Sequence, residues 1–121
     1  METDEIEKFA NEWVQARTNG STPDNLVLDG ELPFNNPQLC LDVIIKVLEK
    51  IDSKPENELF TILAAGPLED LLTEHGEAVV GKVEILARRS PEFRNLLNGV
   101  WDYDINESIK SKLSKYMEKR W

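Results

Sequence analysis

The chain has 121 residues, 40% of them apolar and 31% charged, and carries a formal net charge of −9 from 23 acidic and 14 basic side chains. This length supports one hydrophobic core, and the apolar fraction excludes disorder along the whole chain. The acid excess argues against direct nucleic-acid binding, which needs a basic face, and the lone Cys40 excludes an internal disulfide or a cysteine zinc site.

The opening Met1-Glu2-Thr3-Asp4-Glu5 is acidic where a secretory signal is basic and then apolar, and no apolar run approaches membrane-spanning length. A cytoplasmic protein without membrane contact is expected. In chain order, Ile6, Phe9, Ala10, Trp13 and Val14 recur at helical spacing and predict a helix over 4–18, capped by Thr3 or Asp4 and ended by Asn19-Gly20. Residues 19–36 are rich in Gly, Pro and Asn. They read either as a short hairpin turning at Asp29-Gly30 or as a long loop docking its apolar residues on the core. Asn36-Pro37 opens a helix over 37–51 whose wide apolar stripe makes it central.

Ser53-Lys54-Pro55-Glu56 has the pattern of a capping box and predicts a third helix, stopped by Gly66. Pro67 starts the next, stopped by Gly76, and another follows over 77–89 with Arg88 and Arg89 at its end. Ser90-Pro91 starts a short helix ended by Asn98-Gly99, with Val100 and Trp101 folding back over that end. Asp104 and Glu107 form a second candidate capping box for a basic last helix over 105–121. The expected fold is therefore all-α: one domain of about seven helices, in a compact bundle or a short irregular solenoid.

The charge is uneven. Residues 1–31 hold eight acids against Lys8 and Arg17, a net of −6, and residues 105–121 hold two acids against five bases, a net of +3. The basic tail reads as a solvated helix, or as a segment lying near the acidic end.

The stretch Gly66-Pro67-Leu68-Glu69-Asp70-Leu71-Leu72, the following His75-Gly76 and the closing Gly99-Val100-Trp101 form a spaced pattern over the central third of the chain. This pattern resembles a family of small uncharacterised bacterial proteins, a domain of unknown function. The resemblance implies a bacterial source and an all-α fold, and it implies no activity. Within it, the glycines and Pro67 punctuate helices, which leaves His75, Asp70 and Arg94 as residues without an obvious architectural duty.

No catalytic residue, cofactor or metal site is expected. His75 is the only histidine and has no paired nucleophile, and Asp70 and Glu74 share a helical face without a third ligand pattern. The first functional reading is a non-enzymatic, acidic protein-binding domain: an immunity or inhibitor-type protein neutralising a basic partner such as a toxin nuclease. Its candidate contacts are Asp24, Asp29 and Glu31 in the long loop, Asp70, and Trp101, Asp102, Tyr103 and Asp104. A helical adaptor or regulatory module, monomeric or homodimeric, is the alternative, and a small hydrolase or metal-dependent enzyme around Asp70, Glu74 and His75 is the third.

Overall fold

The computed structural model describes residues 2–20, 26–119 and 121, and among these the chain is all-α with no strand. Helix α1 spans Glu2–Thr18, α2 Val27–Gly30, α3 Leu32–Asn35, α4 Pro37–Lys50, α5 Glu58–Leu63, α6 Glu69–Arg89, α7 Pro91–Leu97 and α8 Glu107–Leu113. A π turn, Ala64–Leu68, joins α5 to α6, and a 3₁₀ turn, Ser114–Tyr116, follows α8.

Helix α4 is the hub. Cys40, Leu41, Val43, Ile44, Val47 and Leu48 are all buried, an apolar surface too wide for one neighbour, and α4 packs against α1, α3, α6 and α7. Contacts between elements distant in sequence make this a compact bundle and not a solenoid, in which each repeat touches only the next. Asn36 caps α4 as expected, its Oδ1 accepting the Leu39 N–H at 3.2 Å. Ser90 caps α7 in the same way through the Phe93 N–H at 3.1 Å. Gly20 follows the end of α1 with φ of 73°, the left-handed conformation that glycine adopts without a Cβ clash.

Several boundaries differ from the sequence expectation. Helix α1 begins at Glu2, so Thr3 and Asp4 lie inside its first turn, past the cap position expected for them. Residues 26–35 form no hairpin: they dock on the core as two single helical turns, with Leu26, Leu28, Leu32 and Pro33 buried. Ser53–Glu56 is no capping box. The Asn57 N–H closes a turn on the Lys54 carbonyl at 2.9 Å, and the Asn57 side chain caps α5 through the Leu59 N–H at 2.9 Å. Asn106, not Asp104, caps α8. That last helix ends at Leu113, well short of residue 121.

Gly66 does not stop a helix, whereas the break expected at Gly76 is present as a kink. At Gly66-Pro67 the helix widens into the π turn, in which the Glu69 N–H reaches back to the Ala64 carbonyl. Pro67 has no N–H to give and its ring would clash with the preceding turn of a regular α-helix, so the wider turn lets the chain continue. At His75 the backbone leaves helical values (φ −137°, ψ 34°), so α6 consists of two helical halves that meet in a kink, one residue before the break expected at Gly76. Gly76 is buried there, and a Cβ on it would meet Ile109 of α8 at 3.1 Å. Its small size admits the last helix.

Candidate functional site

Two buried anchors define the surface feature that stands out. Helix α7 ends at Asn98-Gly99, where the Gly99 and Val100 N–H groups bond to the carbonyls of Leu96 and Leu97 at 3.0 and 3.2 Å. Val100 then enters the core, and Ile105 re-enters it five residues on, its N–H closing a turn on the Asp102 carbonyl at 3.3 Å. The segment between them is forced outward. Trp101 is 60% exposed and Tyr103 80% exposed. Their rings stack on each other at 5.9 Å with 21° between planes. Trp101 is thus no lid over the helix end, contrary to the sequence reading.

The corner is fixed from behind. The Trp101 N–H donates to Glu69 Oε1 at 3.1 Å, so the acid of Gly-Pro-Leu-Glu-Asp holds the Trp of Gly-Val-Trp across 32 positions of sequence. Asp104 is exposed beside the rings and Asp102 is half-buried. Asp102 also lines a hollow of about 420 Å³ shared with Lys110, Met117 and Glu118. The arrangement can present flat aromatic surface to a macromolecule, on a segment that also carries two carboxylates.

The other predicted contacts lie elsewhere in the fold. Asp24 falls outside the described residues. Asp29 is engaged internally: Oδ1 accepts the Trp13 Nε1–H at 2.9 Å, and Oδ2 pairs with Arg17, whose guanidinium lies 5.3 Å over the Trp13 ring. These bonds tie α2 to α1. Glu31 is exposed between α2 and α3. Asp70 is half-buried. Burial raises its pKa above the ordinary carboxylate value, and the nearby charges of Glu69, Glu74 and Asp29 add to the effect.

The three residues without an obvious architectural duty prove to have partners or burial of their own. His75 donates from Nε2 to the Phe34 carbonyl at 2.7 Å and so joins α3 to the kink of α6. Arg94 donates from Nη1 to the Ala87 carbonyl at 2.9 Å, satisfying an acceptor near the end of α6. A hollow of about 540 Å³ lies beside His75, lined also by Glu74, Glu77 and Asn106. Among the described residues no group of three or more His, Cys, Asp or Glu side chains is placed to hold a metal ion. Cys40 is fully buried in the core, and burial pushes its thiol up to about 12, which keeps it unreactive.

The side-chain partners of Asn98 and Trp121 were not legible in the sequence. Asn98 is buried, and its Nδ2 donates to the carbonyls of Arg94 and Tyr116 at 2.8 and 3.0 Å while its Oδ1 accepts the Lys119 N–H at 2.9 Å. Trp121 stacks on Phe60 at 5.4 Å and donates from Nε1 to the Asn95 carbonyl at 2.7 Å. Both contacts join segments far apart in sequence, so no local pattern announces them.

Residues 3–121 match a family of unknown function (DUF6869), and the chain belongs to that family. No curated protein and no solved structure matches it. No helix of the described residues is long and apolar enough to cross a membrane.

Proposed function

We propose that this member of the DUF6869 family is an acidic protein-binding domain that neutralises a basic partner, as an immunity or inhibitor protein does for a toxin nuclease, and that it performs no catalysis of its own. The carrying observation is the stacked, exposed Trp101–Tyr103 pair, on a backbone bonded to Glu69 between two core anchors in a chain of charge −9. Trp and Tyr dominate the energetic centres of protein interfaces because they bury large rigid surface at low entropic cost. Acidic charge around such a centre speeds encounter with a basic protein and disfavours acidic competitors. The exposure of Asp104 and Glu31 supports a part for both in such longer-range attraction, whereas Asp29 bonds within the fold.

The test is capture from the native cell with the wild-type chain and with the W101A/Y103A double variant as parallel baits. Neither substitution alters the formal charge, so general attraction between acid and base is preserved, and both side chains are exposed, so the melting temperature should hold. A basic protein retained by the wild type and weakened at least tenfold by the double variant, about 1.4 kcal/mol or more, is the expected result. Retention of the same partner by both baits would remove the corner from the interface. A captured partner with an acid excess would remove the neutralising role.

A further inference from the structure

The basic tail reaches the corner only through the hollow beside Asp102, and the fold gives the rest of it a definite place. Among the described residues no ion pair joins it to the acidic first 31 positions: Glu7 pairs with Lys50, and Asp29 with Arg17. Instead, the turn after α8 lies against the end of α6. Arg88 donates from Nε to the Tyr116 hydroxyl at 3.4 Å, and the Lys115 ammonium sits 5.2 Å over the Tyr116 ring. The Tyr116 pKa is lowered, first by the bond from Arg88 and also by the charges of Lys115 and Arg88, as a positive local field requires.

Between α7 and this turn is a hollow of about 450 Å³. Its charged lining residues are Arg94, Lys115 and Lys119 against the single acid Glu118, a net of +2. Among the described residues none of the three cations forms an ion pair. Arg94 spends one nitrogen on the Ala87 carbonyl, which fixes its guanidinium and leaves the other donors. The floor includes Asn98, whose three bonds hold the backbone of residues 94, 116 and 119 in register around the hollow. Cations gathered in one concavity of an otherwise acidic protein repel one another unless an anion neutralises them.

We infer that the hollow between α7 and the C-terminal turn binds a small phosphate-bearing molecule, with Lys115 and Lys119 on the phosphate oxygens and the Arg94 guanidinium beside them. A phosphate monoester carries about two negative charges at neutral pH, matching the lining, whereas a monocarboxylate leaves one charge unmet. The volume lies within the range of small-molecule sites. A nucleic acid strand is disfavoured, because the rest of the acidic surface repels an extended polyanion.

The inference is independent of the aromatic corner and is tested without any protein partner. The full chain is titrated calorimetrically with inorganic phosphate, pyrophosphate and ATP, and with citrate at matched ionic strength, alongside the K115Q/K119Q double variant. Both lysines are exposed, so the variant should keep its fold, which its melting temperature checks. The expected result is saturable binding of at least one phosphate compound, a ligand-dependent rise in the wild-type melting temperature, and affinity roughly tenfold or more weaker in the variant. Binding of inorganic phosphate as tightly as ATP assigns the site to the free anion; preference for ATP assigns it to a nucleotide ester. Absence of saturable binding by all three, equal binding by the variant, or citrate binding as tightly as the best phosphate compound would overturn the inference.

Discussion

A methyl group added at Gly99 would fall inside the van der Waals envelope of the Trp121 ring. The glycine of Gly-Val-Trp is therefore kept small by close packing, with no positive φ involved. Gly99→Ala should displace the indole from its stack on Phe60 and cost about 1–3 kcal/mol, as overpacking does. In a Trp121→Ala background the same change should be nearly neutral, and denaturant titration of the four proteins checks the coupling. Equal costs in both backgrounds would place the strain elsewhere. Asp70 makes a second prediction at this scale. Its raised pKa means that the folded chain binds the proton more tightly than the unfolded chain. Stability from this group is therefore fullest below the ordinary value of 3.8 and declines as pH rises through the raised folded value. Asp70→Asn should raise the melting temperature at neutral pH, and the gain should vanish in acid below the carboxylate range. A drop at neutral pH would show that Asp70 makes a favourable contact that outweighs its burial.

Helix ends decide where the chain turns, and the competing caps in this sequence separate by geometry. Asn106 Oδ1 accepts both the Ser108 N–H at 2.8 Å and the Ser108 hydroxyl at 2.9 Å, whereas Asp104 stays exposed two residues earlier. Asn106→Ala should cost about 1 kcal/mol and loosen amide protection along α8, while Asp104→Ala should leave stability unchanged. The reverse order would restore the capping box that the sequence suggested. The pairs Asn36-Pro37 and Ser90-Pro91 were legible without the fold because cap and first helical residue adjoin and satisfy local donors. The stop expected at Gly66 is absent, and the break expected at Gly76 is a kink at His75 with no connecting loop. A glycine or proline weakens a helix, but buried neighbours on both sides can carry the chain through as a π turn or a kink. Leu63 and Leu68 flank the first, and Leu72 and Val79 the second, all in the core.

At the scale of the whole molecule the sequence by itself determined the helical class, the central rank of α4, the buried state of Trp13 and Cys40, and the separation of acidic and basic ends. Each follows from periodicity, composition or a local cap, which are properties of neighbouring residues. The family-like pattern was visible too, although its reasons were not: Glu69 holds the Trp101 N–H, and Gly99 makes room for Trp121. Tertiary structure alone decided the rest. It committed Asp29 to Trp13 and Arg17, and His75 to the Phe34 carbonyl, giving each a partner within the fold. It pressed Val100 and Ile105 into the core, so that Trp101 and Tyr103, apolar by composition, were turned to solvent. It also gathered Arg94, Lys115 and Lys119 around one hollow. A residue's local pattern states its preference for burial or charge pairing. Which residues obtain a partner is settled by long-range packing, where the strongest anchors fix the backbone and weaker preferences yield to them.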